Sequence, residues 1–317
     1  MLPLLQRSLL LALPDRVLSS LDAPGPRRHR VLVATRSGPS GPVIGLIVTR
    51  PHNRRRTCWQ ICHLRLATDD LNSVSRLDLA AALVRQAISG TRTAASWVAR
   101  SSGIDLTRLA ALRDAGFQPQ LRQLLWRWQS PARPGDAVTG AAASAEGLQL
   151  MALHPRLYPL LWHLEQATTP APLRQLLDRR IDDLRGSGPG LVLVDTSRDQ
   201  AVVSLRHSGD HPGGGSELEL RVHPARSDLQ GSVLTGLLSQ LQLPGPYWLR
   251  TEQSDAGLGH WLETIGAQAQ GEEVLMARSV WRRQPMRPMR SPVRRLEAVI
   301  QQLQPGRRPL PTPSSTP

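Results

Sequence analysis

The stretch Ser96–Gln118, SWVARSSGIDLTRLAALRDAGFQ, decides the fold because the chain repeats it as Tyr247–Gln268, YWLRTEQSDAGLGHWLETIGAQ. Each copy has a tryptophan in a short apolar run, followed by Arg100 or Arg250. A polar loop with an aspartate, a helical apolar pattern and a terminal glycine come next. The spacing is 19 positions from Trp97 to Gly116 and 18 positions from Trp248 to Gly266. This repetition indicates an internal duplication.

The sequence before and after the first copy predicts a mixed order of elements. β-branched runs around a Gly/Pro turn predict a hairpin, and apolar residues on one side, behind a capping-box pattern at Ser75 and Asp78, predict a helix. The predicted elements around the first copy are the hairpin Val31–Arg50, the strand Cys58–Leu66, the helix Ser75–Ile88 and the strand Gln120–Trp128. The copy itself supplies a strand and a helix that begins at Asp105 and ends at Gly116.

The second half repeats this order after two helices in His154–Arg185, broken near Pro170–Pro172. The predicted elements that follow are the hairpin Gly190–His207, the strand Ser216–Pro224, the helix Gly231–Leu241, the strand and helix of the second copy, and the strand Glu272–Arg283. The alternative is two unrelated domains that share a common alternation by chance. The matching Trp, Arg and Gly make that alternative the weaker one.

Two segments without periodic pattern predict the domain boundaries. Gln129–Gly147 is rich in small residues, Pro and Gly, and Arg282–Pro292 carries Pro and Arg. We therefore expect one domain at 1–129, a linker at 130–147, a second domain at 148–283 and a basic, Pro-rich tail at 284–317.

Composition restricts the possible functions. The 317 residues carry a formal charge of +14, and all 39 basic residues are arginine, since the sequence contains no lysine. Schiff-base and P-loop lysine chemistry are therefore excluded. The arginine excess fits either nucleic-acid binding or biased codon usage. No apolar run reaches the roughly 20 residues of a membrane span, so we interpret the N-terminal MLPLLQRSLLLALP as the first helix of a cytoplasmic protein.

The two cysteines, Cys58 and Cys62, lie four positions apart on a predicted strand. At about 3.3 Å per residue they are roughly 13 Å apart, too far for a disulfide or a shared metal. We interpret them as reduced thiols packed in the strand and predict no metal site. The alternative is a zinc site with the nearby His52 and His63.

The order of elements resembles the GNAT superfamily of N-acyltransferases, over nearly the whole chain up to about Arg283. ELRVHPAR (Glu219–Arg226) resembles the fourth strand of that family and the V-x-P that follows it. RDAGFQ (Arg113–Gln118) resembles the end of its last helix and the G-F turn. The resemblance implies an α+β (mixed α/β) fold of two tandem GNAT-like domains, each a mixed central sheet flanked by helices.

The resemblance also implies acetyl-CoA as cofactor, held on a glycine-containing loop whose backbone N–H groups and helix dipole bind pyrophosphate. In the first half, Thr68–Arg76 has no glycine and two aspartates, so we expect no binding there. In the second half the predicted binding residues are Val222, Arg226, Gln230, Gly231 and Ser232. This loop departs from the family pattern, because the spacing from Arg226 or Gln230 to a glycine differs and the loop is one or two residues longer.

For catalysis, the resemblance implies a base on the fourth strand and a tyrosine near the end of the last helix. Glu219 is the predicted base, with Glu217 on the same strand face, although both could be solvated strand carboxylates. His223 is a further alternative for the base. The positions of the tyrosine are occupied by Leu112 and Leu262.

Two functions from different classes therefore remain. One is a GNAT-like N-acyltransferase, transferring acetyl from acetyl-CoA to an unknown amine, with weak activity or none. The other is a non-catalytic tandem scaffold. The segment Arg282–Arg308 is a candidate contact for nucleic acid or an acidic protein, because Arg278–Arg308 holds nine arginines and one glutamate, Glu297. The alternative is a solvated tail whose arginines follow the composition.

Overall fold

The structure, a computed structural model, describes residues 29–36, 41–67, 75–129, 147–185, 188–241, 243 and 245–280. The first half contains β1 Arg30–Thr35, β2 Val43–Pro51, β3 Cys58–Leu66, α1 Arg76–Ser89, β4 Ser96–Ser102, α2 Leu106–Asp114 and β5 Gln118–Trp128. The second half contains β6 Leu148–Ala152, α3 Tyr158–Thr168, α4 Ala171–Leu177, β7 Gly190–Asp195, β8 Gln200–Asp210, β9 Ser216–Val222, α5 Ser232–Ser239, β10 Tyr247–Glu252, α6 Ala256–Thr264 and β11 Gln268–Ser279.

The repeated stretch folds in the same way in both halves. The side chain of Asp105 accepts a hydrogen bond from the N–H of Arg108, and that of Asp255 accepts one from the N–H of Leu258, both at 3.0 Å. These bonds satisfy N–H groups in the first turn of α2 and α6. Both helices end at a glycine with positive φ, +84° and +81°, a conformation that favours glycine.

All eleven strands form a single mixed sheet in the order β1-β2-β3-β4-β11-β5-β10-β9-β8-β7-β6. The central four strands come alternately from the two halves. The second half's last strand, β11, lies between β4 and β5 of the first half, and β5 pairs in turn with β10. The two halves therefore exchange their last strands.

The exchanged strands complete each other's hydrophobic cores. Trp126 and Trp128 of β5 are buried among residues of the second half, and their indole N–H groups donate to the Thr251 hydroxyl and the Ile265 carbonyl. Met276 of β11 is buried in the core beneath α1 and α2. Each core therefore depends on a strand that the other half supplies.

The opposite sheet face joins the halves a second time. Leu173 of α4, in the second half, packs with Cys58, Val98 and Leu275. Asn53, in the turn after β2, donates to the carbonyls of Leu177 and Asp178 at 3.2 and 2.9 Å. The described residues up to Val280 accordingly form one compact unit.

The structure confirms the predicted strands and helices within the described residues and corrects three details. Ser75 precedes α1 without a side-chain capping bond, so the predicted capping box does not form. β6, which directly follows the predicted linker, is a strand that the sequence analysis missed. When the two copies are aligned, Trp97 matches Tyr247 and not Trp248. The reason is that residues 100–118 align with the residues 150 positions later in the chain.

Several predictions fall on residues outside the described ranges: the N-terminal helix, most of the loop Thr68–Arg76, the linker at 130–147 except Gly147, and the tail. The domain boundaries stay a prediction. No helix in the described part of the chain is long and apolar enough to cross a membrane.

Candidate functional site

A cavity opens where two parallel strands of the second half separate. β9 and β10 pair only at Ser216–Tyr247 and Glu217–Trp248, although the strands continue to Val222 and Glu252. The cavity has a volume of about 1060 Å³, and residues of both halves line it, among them Gln60, Arg100, Gln123, Glu217 and Arg250. The separation gives a ligand access to the strand edges.

Glu219, the predicted base, lies in this cavity in a closed ion-pair network. One carboxylate oxygen accepts from Arg206 at 2.6 Å and the other from Arg221 at 2.5 Å. Arg221 also donates to the hydroxyls of Thr168 and Thr169 at 2.9 and 3.0 Å. Burial alone would raise the pKa of Glu219, but the Arg221 and Arg206 guanidiniums hold it well below its usual value. Glu219 is therefore a poor proton acceptor.

Glu217, the second predicted catalytic residue, is held more loosely. Its Oε1 accepts from Arg250 at 2.5 Å, and Arg250 donates in turn to Glu273 at 2.6 Å. Within the residues described, Oε2 accepts no hydrogen bond. Glu217 also lies at the last residue pair before β9 and β10 separate. The structure thus places both predicted carboxylates in the cavity, and Glu217 keeps one oxygen for a ligand.

The predicted cofactor loop, Val222–Ser232, has an unfavourable charge arrangement. The Arg226 guanidinium forms two hydrogen bonds of 3.0 Å with the Asp228 carboxylate and a contact of 3.2 Å with Asp195. The pKa of Arg226 is raised, mainly because its guanidinium is hydrogen-bonded to Asp228. Two carboxylates therefore neutralise the one arginine of this loop that could bind phosphate.

The backbone of the same loop fits a phosphate group better. α5 begins after Gly231, which has φ of +122° and no side-chain capping bond. A side chain added at Gly231 would meet only open space, so the backbone is accessible. Uncapped N–H groups at a helix start attract anions. The loop therefore fits a pyrophosphate through Gly231 and Ser232, while Arg226 is occupied. Of the other predicted binding residues, Gln230 directly precedes Gly231 and Val222 ends β9.

The other residues considered for catalysis or metal binding, Leu112, Leu262, His223, Cys58 and Cys62, do not line the cavity. Leu112 and Leu262, at the family's tyrosine position, are fully buried. His223 accepts from the N–H of Ala225. Cys58 and Cys62 are free thiols, and the described part of the chain holds no group of three or more His, Cys, Asp or Glu placed to bind a metal.

Sequence reasoning missed two features of the site. His211 stacks on Trp248 with ring centroids 3.7 Å apart, and burial lowers its pKa. An arginine–glutamate network also extends behind Glu219, where buried Glu165 pairs with Arg179 at 2.6 Å. The repeat pointed to Arg100 and Arg250 as equivalent residues, but nothing in the sequence indicated that they reach the same cavity.

Comparisons with solved structures agree with this architecture. A GCN5-related N-acetyltransferase from Sphaerobacter thermophilus matches 84% of this chain and 85% of its own at 12% identity, with a TM-score of 0.50. A tandem GNAT protein from the clavulanic acid biosynthesis pathway matches 84% of this chain and 88% of its own at 15% identity, also with a TM-score of 0.50. No protein-family model matches the chain, and no curated protein matches its sequence.

These likenesses show the fold. The chain shares the fold of these two structures, and this is the tandem arrangement that the order of its predicted elements suggested.

Proposed function

We propose that the second half is the site of an acyl-CoA-dependent N-acyltransferase and that the shared cavity receives the amine acceptor. The observation that carries this proposal is the separation of β9 and β10 directly after Glu217. The uncapped start of α5, which follows β9 in the chain, supports it. An anionic cofactor head at Gly231 and Ser232 and an amine near Glu217 would then both lie along the separated strands.

When bound, acyl-CoA supplies an acyl group activated as a thioester. Glu217 is the residue that we assign to the proton of the amine, because its Oε2 remains available whereas both oxygens of Glu219 are engaged. Arg250 fixes the orientation of Glu217 through Oε1. The chain places no tyrosine at Leu262, so the released sulfur takes its proton from water, which suits a thiol with an ordinary pKa of about 8.5.

The network around Glu219 has a structural part in this proposal. Arg206 and Arg221 keep Glu219 ionised, and Arg221 ties β9 to the end of α3 through Thr168 and Thr169. This bridge holds the wall of the cavity in place where β9 has lost its neighbouring strand. Glu219 is then a positioning residue.

The test measures acetyl-CoA binding to the full chain by calorimetry, and thiol release from acetyl-CoA with a set of primary amines. We expect binding, and product formation that Glu217→Gln slows by about 100-fold or more, the usual size of a lost general base. Glu263→Gln, on the exposed face of α6, is the matched control and should not change the rate. Absence of acetyl-CoA binding would contradict the proposal.

A non-catalytic scaffold is the second candidate. It is supported by the neutralised Arg226 and by the buried leucines at both tyrosine positions. Acetyl-CoA binding without transfer to any amine, unaffected by Glu217→Gln, would favour it.

A further inference from the structure

Arg100 and Arg250 are equivalent residues of the two halves, but their surroundings differ. Each lies on the strand before the matching helix, five residues before the capping aspartate. Arg250 is neutralised twice, by Glu217 at 2.5 Å and Glu273 at 2.6 Å. Those two carboxylates outweigh the effect of burial and raise its pKa.

The residues equivalent to these two glutamates are glutamines in the first half. Gln60 pairs with Val98 between β3 and β4, as Glu217 pairs with Trp248 between β9 and β10. Gln123 corresponds to Glu273 and lies directly opposite it across β5 and β11. The first half thus has an arginine at the shared position and an uncharged amide in place of each carboxylate.

Arg100 is consequently left without a carboxylate. Its side chain forms no ion pair or hydrogen bond with any residue in the described ranges, and its Nε is buried without a partner. The Oε1 of Gln123 is likewise buried and accepts nothing, while Gln60 accepts from Arg50 at 3.4 Å. Burial and the nearby Arg250 lower the pKa of Arg100.

The side chains of Arg100, Gln60 and Gln123 all line the cavity, although the Nε of Arg100 and the Oε1 of Gln123 are themselves buried. An unpaired guanidinium is stabilised by an anion, and an unpaired amide oxygen is satisfied by an N–H donor. Glu217, Glu219 and Glu273 lie close enough to interact with Arg100 electrostatically. They would repel a multiply charged phosphate and attract an ammonium. The surroundings therefore suit one carboxylate together with one amine.

We propose that the cavity binds a free amino acid, with its carboxylate on the guanidinium of Arg100 and its ammonium beside the carboxylates of the second half. A planar guanidinium offers a carboxylate two parallel hydrogen bonds. The inference rests on the proposed function only where the bound amino acid is taken as the acyl acceptor. Binding itself requires no acyl-CoA.

The experiment measures the melting temperature of the full chain, without acyl-CoA, in the presence of single free amino acids and of their methyl esters. The ester keeps the amine and the side chain but removes the carboxylate charge. We expect at least one amino acid to raise the melting temperature and its ester to lose most of that effect. The proposal is wrong if no amino acid stabilises the chain, or if acid and ester stabilise it equally.

Variants then assign the effect to Arg100. Arg100→Gln should abolish the stabilisation, and Arg100→Lys should keep part of it. Gln60→Glu should weaken binding at least tenfold, because it places beside Arg100 a carboxylate that the ligand must displace. Undiminished binding by Arg100→Gln would overturn the proposal. Acetyl-CoA binding, measured separately, should be unchanged in Arg100→Gln. The two proposals therefore fail separately: absence of amino-acid binding contradicts this inference, and absence of acetyl-CoA binding contradicts the acyltransferase proposal.

Discussion

Gln123 on β5 lies directly opposite Glu273 on β11, and the two residues are each other's counterparts in the duplicated chain. The approximate twofold axis of the molecule therefore passes between an amide and a carboxylate. On one side Arg250 pairs with Glu273 at 2.6 Å. On the other side the equivalent position is Gln123, an amide, and the side chain of Arg100 forms no ion pair within the described residues. This difference, together with Gln60 in place of Glu217, separates the neutralised Arg250 from the unpaired guanidinium of Arg100.

This asymmetry predicts opposite effects on stability. Arg250→Gln leaves Glu217 and Glu273 without their cation and should lower the free energy of unfolding by about 3 kcal/mol, the lower end for a broken buried pair, because all three side chains keep some solvent contact. Arg100→Gln removes a charge that no described carboxylate pairs with and should leave stability unchanged or raise it. Urea unfolding of both variants checks this. Equal destabilisation would mean that Arg100 is paired.

The strand exchange predicts cooperative unfolding. Each core contains a strand of the other half, so neither half can lose its structure without exposing the other core. We expect a single transition for the full chain by calorimetry and near-UV circular dichroism. The fragment 1–132, which lacks β11, should be insoluble or molten. Two separated transitions, or a soluble fragment with a sharp near-UV signal, would show that the halves are independent.

The sequence predicted local structure well because its signals are local. Asp105 and Gly116 delimit one helix, and their counterparts Asp255 and Gly266 delimit the other, in the structure as in the pattern. The exchange of β5 and β11 was not predictable. A strand with Trp126 and Trp128 on one face requires a core, but its sequence does not say which half provides that core.

The site was predictable only in part, for a similar reason. The alternation of Glu217 and Glu219 on one strand indicated a shared face, and both carboxylates line the cavity. Their partners, Arg250 and Arg206, come from other strands, and pairing depends on register between distant segments. A strand pattern shows that a carboxylate is present and cannot show that arginines have already neutralised it.

Cys58 is expected to be chemically inert in the folded chain. It is fully buried between β4 and α4, and burial raises the pKa of its thiol from 9.0 to about 12. The folded-state pKa exceeds the unfolded one, so the contribution of the protonated thiol to stability is complete below pH 9 and is lost between pH 9 and about pH 12. Iodoacetamide labelling below pH 9, read by mass spectrometry, should modify Cys58 only after denaturation. The half-buried Cys62 serves as the internal comparison, and rapid native labelling of Cys58 would contradict the prediction.

The charge of the predicted cofactor loop should limit its affinity for acetyl-CoA. Asp228 holds Arg226 through two hydrogen bonds and adds a negative charge near the start of α5. Asp228→Asn should free the guanidinium for phosphate and remove that repulsion. Because Asp228 is largely exposed, the gain is limited to about 1 kcal/mol, roughly a fivefold tighter acetyl-CoA complex.

Calorimetry with acetyl-CoA on the full chain measures this gain, and Glu263→Gln is the control that removes an acidic charge away from the loop. The gain should shrink at high salt, since the contacts are exposed and screened. If Asp228→Asn and Glu263→Gln bind acetyl-CoA equally, the phosphates do not lie at Arg226. If Asp228→Asn binds more weakly than the unmodified chain, the carboxylate itself orders the loop for binding, and the arrangement of Arg226 and Asp228 is then part of the site.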